Sequence, residues 1–330
     1  MSGQGLLYFS GEDVRRALPM PEAIAAMRDA FRCLADGQVT MPPRTRLEAP
    51  QTNGLLLMMP CYSAGVQRLS LKVLTQFSHN RALGLPLIQA LVILADANDG
   101  RPLAIMDGSA LTAIRTGAAS GLATDLLARP EATAAGIFGA GAQARTQLEA
   151  VCAVRPIRRA RVYDADAASA ERFAGEMSAR LGIPVERALR PDQALEGALI
   201  ICTATTSPRP VFEDADLAAG AHINGVGSWK PDIAEIPAAT VRRARVVVDQ
   251  REAALEEAGD LLMPLRAGLI SLDHFQAELG EVLTGRAPGR QSDAEVTFFK
   301  SVGLAVEDLF AAQRALENAR RLKVGIELPR

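Results

Sequence analysis

Ala135-Gly-Ile-Phe-Gly-Ala-Gly-Ala-Gln-Ala144 runs from a short apolar strand through a glycine-rich turn into a helix. That order is the first βα turn of a dinucleotide-binding βαβ unit. Gly139 lets the chain reverse, Gly141 lets backbone amides approach a pyrophosphate, and Ala144 keeps helix and strand close. The helix, read as Arg145 to Val154, turns N–H groups and the positive end of its dipole toward the phosphates. Taken alone, the glycine pattern also fits a tight turn of another α/β sheet. Here a second strand-like run, Arg161-Val-Tyr-Asp164, follows at about the expected 20 residues and ends in an acid. Asp164 is thereby placed for a ribose 2′-OH, and a 2′-phosphate beside it would bring like charges together. NADH is the expected cofactor, with Arg145 and Arg161 near enough in sequence to leave NADPH possible.

Working outward, Gly136–Phe138, Arg161–Tyr163, Leu199–Thr203, His222–Val226 and Arg245–Val248 read as strands, with helical patterns between several of them. This predicts an α/β fold with a Rossmann-type, doubly wound parallel sheet. The first 120 residues differ. Helical patterns at Gly11–Leu18 and Pro21–Gly37 precede strands at Pro43–Leu47, Gly54–Met59, Leu69–Phe77 and Leu87–Leu94. Asn98-Asp-Gly100 then makes a hairpin-type turn between Leu91–Ala95 and Leu103–Met106. This is a separate α+β domain. The alanine-rich segment Ser109–Ala128 connects it to the next, and the amphipathic pattern Gly303–Lys323 is expected to return to it. The expected division is 1–120 with 304–330, and 121–303.

With 330 residues and 48% apolar content, the chain can bury a full core and suits two domains. A net charge of −2 gives no electrostatic footprint for nucleic acid or an anionic membrane. Apolar runs such as Leu85–Ala95 are too short to span a bilayer, and no basic segment leads into an apolar one at the N-terminus. A soluble, cytoplasmic protein is expected. Cys33, Cys61, Cys152 and Cys202 lie far apart without C-x-x-C spacing, and His79, His222 and His274 lack the spacing of a zinc helix. They predict reduced, packed thiols and no metal site.

Lys72 lies in Arg68-Leu-Ser-Leu-Lys-Val-Leu-Thr75, an otherwise mostly apolar strand, and is the only lysine in the first 229 residues. A functional ammonium and an edge-strand charge that blocks aggregation both fit the pattern. Arg115 is the one charge between Asp107 and Asp125, and reads equally as a helix-surface arginine. Arg44 and Arg46 alternate on one strand, where a planar guanidinium could hold a carboxylate in bidentate fashion.

Over nearly its whole length the chain resembles the ornithine cyclodeaminase/mu-crystallin family. The carriers are Met41-Pro-Pro-Arg44, Met58-Met-Pro60, the Lys72 strand, Gly84-Leu-Pro86, Leu111-Thr-Ala-Ile-Arg-Thr-Gly117, Gly139-Ala-Gly-Ala-Gln143, Val226-Gly227 and Phe299-Lys-Ser-Val-Gly303. The resemblance implies a homodimer paired through its N-terminal, substrate-binding domains, and NAD(P) on a Rossmann domain. It also implies a small substrate bearing an α-amino or α-imino carboxylate. By position, Lys72, Arg44 and Arg115 would be catalytic: Arg44 and Lys72 grip the substrate, and Arg115, with Thr116 beside it, lies near cofactor and carboxylate. Gly139, Ala140, Gly141, Ala142 and Gln143 would meet the pyrophosphate and Asp164 the adenosine ribose. Thr203, Ala204, Thr205, Val226 and Gly227 would meet the cofactor's middle, and Ser301 its nicotinamide end. Met58, Trp229 and Val302 would complete a substrate pocket with Arg44 and Lys72.

Two departures narrow the reaction. The cyclodeaminase carries a catalytic aspartate where this chain has Trp229, and a glutamate where it has Leu57. Cyclisation with loss of ammonia needs a base, and the substitutes at hand are Asp232 and Glu235, the latter also reading as an ordinary surface acid. The segment Gly227-Ser-Trp-Lys-Pro-Asp232 is more similar to the ketimine-reductase branch. Hydride transfer to an imine requires only orientation, a held carboxylate and a proton. The sequence therefore predicts an NAD(P)H-dependent reductase of α-imino acids that yields L-amino acids. An alanine-dehydrogenase-like enzyme, an ammonia lyase with catalytic NAD and a mu-crystallin-like binding protein are the alternatives.

Overall fold

The computed structural model describes residues 5–275 and 277–329. It falls into two compact units, Met1–Arg115 with Leu304–Arg330, and Thr116–Gly303. The first unit opens with β1 (Leu6–Phe9), α1 (Gly11–Ala17) and α2 (Met20–Ala35). Ser10 caps α1 reciprocally with Asp13, each side chain taking the other's backbone N–H. There follow β2 (Val39–Thr40), β3 (Thr45–Ala49), β4 (Gly54–Ser63), β5 (Arg68–Phe77), β6 (Ile88–Asp96) and β7 (Pro102–Asp107), and then α3 (Gly108–Leu127), in which the two units divide between Arg115 and Thr116.

The strand expected at Pro43–Leu47 begins two residues later, at Thr45. Pro42 and Pro43 carry no N–H to give to a ladder, so Arg44 lies just ahead of the strand. In β5 the period-2 alternation buries Ser70 and Lys72 on one face and sets Leu69, Leu71 and Val73 on the other. Lys72 stands in register with Met59 on β4 and Val92 on β6.

The second unit contains β8 (Ala134–Phe138), α4 (Ala142–Val154), β9 (Arg159–Tyr163), α5 (Ala167–Leu181), β10 (Val185–Arg187), α6 (Pro191–Leu195), β11 (Ile200–Thr203) and β12 (His222–Gly225). It continues through α7 (Ala238–Arg243), β13 (Arg245–Val248), α8 (Arg251–Glu257), α9 (Gly259–Arg266), β14 (Ala277–Glu278), α10 (Leu279–Leu283) and β15 (Thr297–Lys300). Its sheet is parallel throughout, in the order β10-β9-β8-β11-β12-β15-β13-β14. The chain winds outward from β8 to β10 and then returns to β11 on the other side of β8, so the topological switch point lies between β8 and β11. In such sheets ligands bind beyond the carboxyl ends of the strands at that point.

The chain closes with α11 (Ala305–Leu322) and β16 (Ile326–Leu328). The apolar stripe of α11, including Val306, Leu309, Phe310 and Leu316, is buried, and the helix packs on α2 and on β4 and β5. Strand β16 pairs antiparallel with β1, completing the first unit's sheet in the order β16-β1-β7-β6-β5-β4-β2, with β3 also on β4. Among the described residues no helix is long and apolar enough to cross a membrane.

The second unit buries a neutral polar network. His222 is fully buried, its Nδ1 2.9 Å from Thr297 Oγ1 and its Nε2 3.2 Å from Asn224 Oδ1, while Asn224 Nδ2 donates to Thr124 Oγ1 at 2.9 Å. Burial, and then the charge of Arg290, push the imidazole down to about 3 against the opposing Asn224 bond. Unfolded, the same ring titrates near 6.5. Below that pH the unfolded chain takes up a proton that the folded chain refuses. Stability is therefore lost as pH falls from about 6.5, at about 1.4 kcal/mol per pH unit from this residue. His222→Gln should flatten the decline of chemical-denaturation stability between about pH 6 and pH 4 by that slope. Parallel slopes in the two proteins would show that His222 is not held neutral.

Candidate active site

Helix α4 starts at Ala142, not Arg145, because Gly141 is its N-cap in extended conformation. Ala142 and Gln143 thus occupy the first turn, where N–H groups lack intrahelical partners. Gly139 has φ +97°, and a Cβ there would come within 2.6 Å of the Ala204 carbonyl oxygen, so both conformation and space require glycine. At Gly141 a Cβ would meet no heavy atom of the described residues within 4 Å. Space is thus open at the helix start, and Gln143 Oε1, beside it in sequence, is buried without a hydrogen-bond partner among the described residues. Thr116 is buried, and its carbonyl accepts from Gln147 Nε2 on α4 at 3.3 Å. Gly117 next to it lies so close to Thr146 that a Cβ would meet that backbone at 2.5 Å.

Asp164, just after β9, accepts the Ala140 N–H at 2.8 Å and the Asp166 N–H at 2.8 Å, which fixes its carboxylate against the glycine loop. Arg145 donates to the carbonyls of Ala140 and Gly141 at 2.7 and 3.0 Å and pairs with Glu176 at 2.7 Å. Arg161 pairs with Glu196 at 2.5 Å and Glu186 at 3.6 Å. Both cations that could have met a 2′-phosphate are thus committed to acids of their own.

Thr203 ends β11, Ala204 N–H donates to Phe138 O at 2.9 Å, and Val226 N–H donates to Thr203 O at 3.0 Å. The sequence left Glu235 open between a substitute base and a surface acid; it is fully buried. Its Oε1 accepts the Thr205 N–H at 2.6 Å, and its Oε2 accepts the Gly227 N–H at 2.7 Å and the Thr203 hydroxyl at 3.0 Å. Burial, then neighbouring Asp260, raise its pKa, with Lys300 and Thr205 opposing. Asp260 is itself tied to Lys300 at 3.0 Å and accepts from the Ser228 hydroxyl. Ser301 N–H donates to Gly225 O at 3.2 Å, and Asp249 takes the N–H groups of Val302 and Gly303 at 2.7 and 2.8 Å. The Val302 side chain packs on the second unit's core, and half-buried Trp229 lies beneath the Lys230 ammonium at 5.3 Å.

In the first unit, β5, α3 and the first turn of α11 bring four charges together. Lys72 Nζ is 2.6 Å from Asp308 Oδ2, Arg115 Nε is 3.1 Å from Asp308 Oδ1, and Arg115 Nη1 is 2.9 Å from Glu307 Oε2. Lys72 and Asp308 are each 1% exposed, and Arg115 is 5% exposed, so these pairs are shielded from water. Burial pushes the Lys72 ammonium down, Asp308 holds it up, and Arg115 and then Arg44 push it down again, leaving it at about 8. Burial also works against the Arg115 charge, but Glu307 and Asp308 outweigh it and raise its pKa. Arg44 is half-buried, as is Met58 on β4. The sequence reading missed Glu307 and Asp308; the signal was two adjacent acids in the first turn of a helix whose stripe is otherwise apolar, separated from the Phe299–Gly303 segment by three residues.

A parallel sheet wound to both sides of a glycine loop, with an acid fixed at the second strand, defines a dinucleotide-binding Rossmann unit. The family model for the ornithine cyclodeaminase/mu-crystallin family matches residues 8–323, and the chain belongs to that family. It is 40% identical over 321 residues to a Delta(1)-pyrroline-2-carboxylate reductase of Bacillus cereus, covering 97% of this chain and 98% of that protein. It is also similar to the solved Delta(1)-pyrroline-2-carboxylate reductase of Thermococcus litoralis in complex with NADH and L-proline. That match has a TM-score of 0.94, 42% identity, and coverage of 98% of this chain and 100% of the other. An archaeal alanine dehydrogenase dimer with bound NAD superposes with a TM-score of 0.90 at 34% identity, covering 98% and 99%. The chain is an NAD-dependent oxidoreductase of the family's imino acid reductase branch.

Proposed function

We propose that this protein reduces α-imino carboxylates to L-amino acids with NADH. Its substrates are cyclic imines such as Δ1-pyrroline-2-carboxylate, or imines formed from an α-keto acid and an amine. The observation that carries this reading is the buried Lys72 ammonium at about 8, held by Asp308 at 2.6 Å. Such a group is charged at neutral pH yet gives up its proton readily. Arg44, whose charge is felt at Lys72, binds the substrate carboxylate in bidentate fashion, and Arg115 reinforces that anion site. Lys72 then hydrogen-bonds the imine nitrogen and delivers the proton that balances reduction. The glycine loop and Asp164 hold NADH, which supplies the hydride for C2.

Cyclodeamination fits less well. Trp229 and Leu57 carry no proton, Asp232 is exposed, and the Glu235 carboxylate already accepts three hydrogen bonds. Alanine dehydrogenation is the second reading, favoured by the similarity to the archaeal enzyme. We further propose a cytoplasmic homodimer, joined through the first unit's sheet. Leu69 and Leu91 are 41% and 49% exposed on the face opposite Lys72, and the archaeal neighbour is described as a dimer.

The test is NADH oxidation over a panel of pyrroline- and piperideine-2-carboxylate and of pyruvate with ammonia or methylamine. Stoichiometric oxidation is expected, fastest with a cyclic imine, and kcat/KM with NADPH should be lower by about tenfold or more. Ornithine turnover with ammonia release and no net oxidation would overturn the reductase reading. Equal efficiency with NADPH would overturn the cofactor preference alone.

A further inference from the structure

We propose that Glu235 is the positioning residue for the nicotinamide-ribose half of the dinucleotide site, acting through the loops that follow β11 and β12. The inference rests on the NADH reading above and assigns a task to a residue outside the glycine loop. The sheet order carries the argument. Asp164 stands at the end of β9 and the glycine loop at the end of β8, so a dinucleotide with its adenosine ribose on the first and its pyrophosphate on the second extends over β11 and β12. The backbone found there is Ala204-Thr205 and Val226-Gly227.

Where two parallel strands end, their outermost N–H groups have no further ladder to join. Glu235 supplies the missing acceptors, with Oε1 for Thr205 N–H and Oε2 for Gly227 N–H and the Thr203 hydroxyl. One carboxylate thereby sets the spacing of two loops separated by more than twenty residues of chain. Gly227 is shaped to it, since a Cβ there would lie 2.5 Å from the carboxylate atoms. The carboxylate is in turn aimed from behind. Asp260 Oδ1 accepts the backbone N–H groups of Glu235 and Ile236 at 2.6 and 3.0 Å, and Lys300 on β15 holds the Asp260 side chain at 3.0 Å. A series of bonds thus runs from β15 through Asp260 and Glu235 to the loops over β11 and β12. Glu235→Gln keeps the volume but sets an amide NH₂ against one of the backbone N–H groups, so a loop must shift.

Calorimetric titration of the purified protein with NADH and, separately, with ADP tests this without an activity readout. ADP carries the adenosine ribose and pyrophosphate only. In Glu235→Gln the NADH Kd should rise by about tenfold or more, as for loss of a charge-assisted hydrogen bond, while the ADP Kd stays within about twofold. If Glu235→Gln does not fold, Gly227→Ala, which displaces the same carboxylate, should give the same split. Unchanged affinity for both ligands, or parallel weakening of both, overturns the proposal. Failure of the unsubstituted protein to bind NADH would instead refute the cofactor reading.

Discussion

Lys72→Met is expected to lower the rate of imine reduction by a factor of about 10² or more while leaving the NADH Kd unchanged, because it removes the proposed proton donor and leaves the glycine loop and Asp164 of the second unit as they are. Methionine matches the lysine stem in length and suits a position flanked in register by Met59 and Val92, and Asp308 keeps its pair with Arg115, so the variant is checked for native-like folding before its rate is compared. The pH profile gives the sharper reading. The Lys72 ammonium titrates at about 8, so the unsubstituted enzyme should lose kcat as pH rises through that value, and the variant should lack this limb. Arg115 keeps both of its carboxylates in the variant, so the anion site for the substrate survives and KM should move far less than kcat. Normal turnover by Lys72→Met would remove the donor role outright. A large KM rise with kcat intact would make Lys72 a binding group only.

What the sequence disclosed, it disclosed where the physics is local. Ten residues from Ala135 to Ala144 contain the strand end, the turn and the helix start, so the dinucleotide site could be read without knowing any distant contact. Lys72 stood out as the one lysine of the first 229 residues on a mostly apolar strand, where a functional ammonium and an edge-strand charge fitted equally. Its counter-charge did not stand out. Asp308 lies more than two hundred residues away, and on an amphipathic helix two acids read as solvated until α11 is seen turning its first turn toward β5. The surface alternative for Glu235 arose for the same reason: the polar run Lys230-Pro-Asp232 suggests a surface loop, whereas the acceptors demanded by Thr205 and Gly227 appear only when β11 and β12 lie side by side. Strand β15, Thr297–Lys300, escaped because it inserts between β12 and β13 out of chain order. No local periodicity records such a crossover.

The largest loss of stability is expected at Asp308. Asp308→Asn keeps the side chain's shape but removes the charge facing both Lys72 at 2.6 Å and Arg115 at 3.1 Å, and breaking a buried pair by deleting one partner costs about 3–5 kcal/mol. The two cations do not suffer equally. Arg115 retains Glu307 at 2.9 Å, and Glu307 is itself fixed by the Leu304 N–H at 2.8 Å as part of the α11 cap. Lys72 has no other ion-pair partner among the described residues, and Asp308 holds its ammonium up against burial, Arg115 and Arg44. The variant's Lys72 must therefore titrate below its present value of about 8. Its high-pH limb should move downward, so that activity lost at neutral pH is partly recovered in mildly acidic buffer, as Lys72 alone would dictate. Chemical denaturation and kcat–pH profiles of the same preparation measure both consequences. Native-like stability with an unmoved limb would mean that Asp308 neither supports the fold nor tunes the acid.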